Sequence, residues 1–133
     1  MSVGILLITH DQVGTALLDT AVKILGRCPL HAEVLSIPLN GDVDALRRNA
    51  TALTRAMDEG EGVLVLTDIF GSTPSNIAAS LAQNGRIAVV AGLNLPMLVR
   101  VLNYPEDPLA GLTEKAIAGG NRGILACEAR PPD

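Results

Sequence analysis

The chain has no tryptophan, one phenylalanine, one tyrosine and only two cysteines in 133 residues. So few aromatics leave no platform for stacked bases and no face for a flavin ring. The core must therefore be built from Val, Ile, Leu and Ala, as in proteins whose helices cover a buried parallel sheet. There is no G-x-x-x-x-G-K-[ST] run and no G-x-G-x-x-G run, which disfavours bound ATP or NAD, and no serine sits in a G-x-S-x-G elbow. Basic charge is also scarce. Ten Lys and Arg are scattered against fourteen acids, for a net charge of -4, so nucleic acid is a poor partner. Cys28 and Cys127 lie far apart, and neither they nor His10 and His31 have metal-ligand spacing. The cysteines read as reduced structural thiols, and no metal or cofactor is expected. No apolar run approaches a membrane span, and the start lacks the basic residues and cleavage site of a signal peptide. These features describe a cytoplasmic chain with no membrane insertion.

A chain of this length fits one domain, burying roughly two thirds of its unfolded surface. Val3 to Thr9 is an unbroken apolar run, read as a buried strand. Leu17, Leu18, Ala21, Ile24 and Leu25 then recur at helical spacing, with Gly26 placed as a C-cap. The unit repeats. Glu33 to Ile37 reads as a strand, and Val43, Leu46, Ala50, Leu53 and Met57 trace a helix capped by Asp42. Gly62 to Thr67 is a third strand, leading to Asp68 and the loop Gly71-Ser72-Thr73-Pro74, where Thr73 is the expected helix cap. Ile87 to Ala91 is a fourth, followed by a helix over about 95–103 with Asn94 as cap. A last helix over about 109–118 should stop at Gly119-Gly120, with Arg122 to Cys127 as a short closing strand. This alternation predicts an α/β fold: a doubly wound, mostly parallel open sheet of about four parallel strands plus a short antiparallel C-terminal edge strand, with helices on both faces. One domain over 1–127 and a tail over 128–133 are expected.

Two reactive side chains terminate strands: His10 follows the first and Asp68 the third. In open α/β sheets the carboxyl edge is where ligands bind, and first and third strands are often neighbours, so the two can meet. A carboxylate that accepts the proton of one imidazole nitrogen leaves the other with its lone pair exposed, a nucleophile able to attack phosphorus. Gly71, Ser72 and Thr73 supply a matching phosphoryl cradle from backbone N–H groups, hydroxyls and a helix start. His31, in a turn beside Pro29 and Leu30, reads as solvent-exposed.

Together, Ile8-Thr9-His10, the run from Asp68 to Asn76 (DIFGSTPSN) and the run from Ala91 to Leu98 (AGLNLPML) resemble the mannose-family enzyme IIA domain of bacterial sugar phosphotransferase systems. The resemblance spans residues 1 to about 127. It implies that His10 accepts a phosphoryl group on Nε2 from the histidine-containing phosphocarrier protein and passes it to an enzyme IIB, with Asp68 holding Nδ1–H. It also implies a homodimer that can exchange C-terminal segments. Asp11 stands where the family usually has glycine, and Gly71-Ser72-Thr73-Pro74 replaces Gly-Gly-Ser-Pro; the added acid disfavours bound phosphate, while Thr73 keeps a hydroxyl at the serine position. No enzyme IIB domain follows in this sequence, so the acceptor is expected in trans, and a regulatory role is open to a stand-alone domain.

The phosphoryl-donor subunit of dihydroxyacetone kinase is a related alternative, although DIFGSTPSN looks closer to the transporter family. A non-enzymatic regulatory α/β module is a second. A receiver-like module would want an acidic pair after the first strand, where Asp11 is single, and a flavodoxin-like module would want aromatics.

Overall fold

Four short strands form the sheet, and the alternation of their side chains divides the core into two layers. The computed structural model describes residues 2–129. In order they are β1 (Gly4–His10), α1 (Val13–Leu25), β2 (Ala32–Ile37), α2 (Val43–Met57), β3 (Val63–Thr67), α3 (Thr73–Ala79), β4 (Ile87–Ala91), α4 (Leu95–Leu102) and α5 (Leu109–Arg122). All strand pairs are parallel, in the order β2-β1-β3-β4. Ile5 and Leu7 of β1, with Leu64 and Leu66 of β3, face α1, α4 and α5. Leu6 and Ile8, with Val63 and Val65, face α2 and α3. Both central strands are thus buried on two sides, which is why they read as unbroken apolar runs rather than alternating ones.

Several helix ends follow the sequence closely. Gly26 closes α1 at φ 79°, a left-handed conformation that glycine adopts without penalty. Asp42 caps α2, accepting from the backbone N–H of Asp44 and Ala45. Asn94 caps α4 through Met97 N–H at 2.9 Å, and its amide also donates to the Gly120 carbonyl of α5. At α3 the cap is Ser72 rather than Thr73. Ser72 is extended at ψ 173°, so Thr73 is already the first helical residue.

The C-terminal part differs from expectation. Gly119 and Gly120 do not stop α5, which runs on to Arg122. A Cβ on Gly119 would come within 2.6 Å of the Arg100 Cβ, and one on Gly123 within 2.3 Å of the Pro96 Cβ. These glycines let α5 lie directly against α4, a packing role that outweighs their low helix propensity. Residues 124–129 have no regular structure and are exposed. The antiparallel C-terminal edge strand is therefore not formed among the described residues, and β4 keeps an open edge. A strand needs a partner for its backbone groups, and residues 124–129 make no ladder pairing with β4. Of the tail expected over 128–133, the part beyond residue 129 lies outside the described residues.

Candidate functional site

The strand order places a topological switch between β1 and β3, because β1 connects outward to β2 and β3 connects outward to β4. A crevice opens at the carboxyl ends of two strands that diverge in this way. His10 is the last residue of β1, and Asp68 is the first after β3. They meet there: Asp68 Oδ2 lies 2.9 Å from His10 Nδ1 and 3.0 Å from the His10 backbone nitrogen. Asp68 Oδ1 accepts from the Ile69 backbone N–H at 3.0 Å. Partial burial pushes the Asp68 carboxyl upward. The hydrogen bonds from the His10 ring and backbone, with that from Ile69, outweigh it and hold the group below its usual value of 3.8. Asp68 is therefore an ionised acceptor, which makes Nδ1 the donor to it and leaves Nε2 as the ring nitrogen not engaged by the carboxylate. The imidazole is 39% exposed, open to a large partner.

Two supports for this geometry were not legible in the sequence. Thr9 is buried beside His10, and its Oγ1 accepts from the Gly14 backbone N–H at 2.8 Å. A Cβ on Gly14 would sit 2.7 Å from that oxygen and 2.9 Å from Val34 Cγ1. Glycine is thus required where the first turn of α1 meets β1 and β2. Asp11 adopts φ 38°, and its N–H donates to the Ile37 carbonyl at 3.1 Å. A positive φ costs a non-glycine residue energy, though Asp tolerates it better than most. A glycine at this turn would relax the chain.

The three predicted cradle residues stand in different states. Gly71 has φ 85°, and its N–H donates to Ser75 Oγ at 3.2 Å. Ser72 Oγ donates to the Ile69 carbonyl at 2.6 Å and accepts from the Ser75 N–H at 3.4 Å. The hydroxyl of Ser72 is thus engaged in capping α3, whereas Thr73 is exposed at the first helical position. Beneath them Thr67 is buried, and its Oγ1 has no hydrogen-bond partner among the described residues.

Apolar side chains stand out from the same edge of the sheet: Val13 after β1, Leu39 after β2, and Ile69 and Phe70 after β3 are all exposed, Leu39 at 89% and Phe70 at 86%. Water is a poor neighbour for such side chains. His31 is exposed as expected and pairs with Glu33 at 2.9 Å. Cys28 and Cys127 are free and exposed, so neither packs as a structural thiol.

A family model described as the PTS system fructose IIA component matches residues 4–115. The chain is 30% identical over 134 residues to the mannose-specific EIIAB component of Escherichia coli K12, an alignment covering 98% of this chain and 41% of that protein. It is 31% identical over 107 residues to the fructose-specific EIIA component of Bacillus subtilis, covering 78% and 71%. The solved mannose/sorbose specific IIA subunit from Enterococcus faecalis has the same fold, with a TM-score of 0.86 at 22% identity and 100% of both chains covered. The chain spans about two fifths of the length of the Escherichia coli relative.

Proposed function

The chain belongs to the mannose-type enzyme IIA family, the PTS fructose IIA components, and we propose that it carries a phosphoryl group on Nε2 of His10. The observation that carries this reading is the hydrogen bond from His10 Nδ1 to Asp68, which turns the other ring nitrogen outward at an open sheet edge. In the proposed step the Nε2 lone pair attacks the phosphorus of a phosphohistidine on the histidine-containing phosphocarrier protein. The P–N bond of the donor breaks as the new P–N bond forms, and the donor imidazole leaves. Asp68 keeps the Nδ1 proton and balances the positive charge that develops on the ring. Thr73, with its hydroxyl and its backbone N–H at the start of α3, receives the phosphoryl oxygens, while Gly71 and Ser72, whose donors are engaged with Ser75 and Ile69, shape the loop around it. Transfer to an enzyme IIB runs the same chemistry in reverse. The exposed rim of Leu39, Ile69 and Phe70 suits both partners, which must each bring a phosphorylatable side chain to the same nitrogen.

Incubation with phosphoenolpyruvate, enzyme I and the phosphocarrier protein, followed by intact-mass measurement, tests this. One phosphoryl group should be gained, labile in acid and stable in base, and His10→Ala should gain none. An unchanged wild-type mass, or a label that survives acid, overturns it.

We further propose a homodimer. The open edge of β4 is flanked by an apolar groove that includes Phe70, Val89 and Ile117, and Ile124 and Leu125 of the C-terminal segment are exposed. That segment of one copy suits the β4 edge of the other, covering both. Light scattering should give a dimer mass for the full chain and a monomer mass for a chain ending at Gly123. Equal masses for the two remove the segment from the interface.

A further inference from the structure

At the opposite edge of the sheet from His10, a cavity of about 420 Å³ opens between the C-terminal ends of α2 and α3 and the start of β4. Its wall carries two guanidinium groups. Arg86 is anchored by a salt bridge to Asp58, whose other oxygen accepts from the backbone N–H of Gly60 at 2.8 Å and Gly62 at 3.1 Å. Asp58 is thereby committed, and the remaining N–H groups of Arg86 are held in place. Arg55 forms no ion pair among the described residues. About two turns back on α2, Arg48 and Arg47 extend the same surface, opposed there by Asp44. The region is thus basic on a chain whose net charge is -4.

The hydroxyls on this wall have a shared polarity. Thr51 Oγ1 donates to the Arg47 carbonyl at 3.0 Å, Thr54 Oγ1 to the Thr51 carbonyl at 2.9 Å, and Ser80 Oγ to the Ile77 carbonyl at 2.6 Å. Each proton is given to a helix, so these oxygens offer lone pairs, not protons, to anything bound. Charged donors toward a ligand come from the arginines, acceptors come from the hydroxyls, and the Gln83 amide on the same wall can serve as either. A ligand matching both must be anionic at one end and rich in O–H donors at the other. No aromatic side chain lines the cavity, so a nucleobase would find nothing to stack on. The volume falls within the range of small-molecule sites.

We propose that this cavity binds a small phosphorylated sugar or polyol, with its phosphate between Arg55 and Arg86 and its hydroxyls donating to Thr51, Thr54 and Ser80. The site is separate from His10 and does not depend on that residue's role.

Calorimetric titration of the full chain with fructose 6-phosphate, fructose and inorganic phosphate tests it. Fructose 6-phosphate should bind at millimolar concentration or below, at least about tenfold more tightly than inorganic phosphate, and fructose should give no heat. Arg55→Ala should weaken binding by about tenfold or more, and Arg55→Lys by less, since it keeps the charge and loses the fork. His10→Ala should bind as wild type, so failure here and failure of the phosphocarrier reading are distinguishable. Absence of heat with fructose 6-phosphate overturns the proposal. Equal affinity for inorganic phosphate overturns the polyol assignment, and unchanged affinity in a folded Arg55→Ala overturns the location.

Discussion

One oxygen of Asp68 accepts two hydrogen bonds from His10, from ring Nδ1 at 2.9 Å and from the backbone N–H at 3.0 Å. The carboxylate thereby holds both the main chain and the ring of the same residue. Rotation of the imidazole is opposed by a group that also ties the end of β1 to the end of β3.

Asp68→Asn should slow phosphoryl transfer more than about tenfold while leaving the fold intact. An amide turned to accept from Nδ1–H can still do so, but it cannot balance the charge that develops on the ring. Rapid-quench transfer from pre-phosphorylated donor measures this, with circular dichroism as the control. Equal rates in a folded variant would remove Asp68 from the mechanism.

Asp11 combines a strained turn with a negative charge next to the proposed nucleophile. Asp11→Asn keeps the shape and tolerates the positive φ, so it isolates the charge. Transfer to His10 should become several-fold faster at low salt, and the gain should shrink as salt screens the interaction. Asp11→Gly should in addition raise stability by up to about 1 kcal/mol. A slower Asp11→Asn would mean that the acid assists the reaction.

Thr67 holds a buried hydroxyl without a partner at the end of β3. Thr67→Val keeps the branched shape suited to a strand and removes an uncompensated polar group, so it should stabilise the chain by about 1 kcal/mol. A rise in the urea midpoint at unchanged slope is the expected result. A fall would show that the hydroxyl is satisfied in solution.

Acid should unfold the protein through two carboxyls held below their usual value. Asp58 is lowered first by the Gly60 N–H, against some burial, with help from Gly62 and Arg86. Asp68 is lowered by His10 and Ile69 against a larger burial effect. A depressed carboxyl contributes its stability in full above the unfolded value of 3.8 and loses it as the pH falls through the lowered folded value. Melting temperature should therefore hold down to about pH 5 and then drop. Asp58→Asn should start lower and fall less steeply. Parallel curves for the two proteins would exclude Asp58 as a contributor.

Much of the frame was readable from local signals. Short apolar runs mark β1, β3 and β4, while β2 carries Glu33 and Ser36 among its apolar residues, and β4 spans the expected Ile87 to Ala91. Gly26, Asp42 and Asn94 were recognisable as caps because each meets a purely local need of a helix end. Gly119 and Gly120 misled because glycine has two uses. It ends helices, and it lets backbones approach, and only the position of Arg100 and Met97 across the interface distinguishes them. The cap at α3 moved from Thr73 to Ser72 for a similar reason, since both side chains can cap and the turn Ile69 to Ser72 selects between them.

By itself the sequence determined the alternation of strands and helices, the burial of β1 and β3 on both faces, and the presence of a histidine and a carboxylate at two strand ends, because period and composition are carried by neighbours along the chain. Only the tertiary structure decided that β1 lies beside β3, that the Asp68 carboxylate takes Nδ1 and not Nε2, and that Gly14 packs against Thr9 beneath the site. Those are contacts between residues remote in sequence or turned toward each other by a bend, and their geometry is set by the packing of the two core layers.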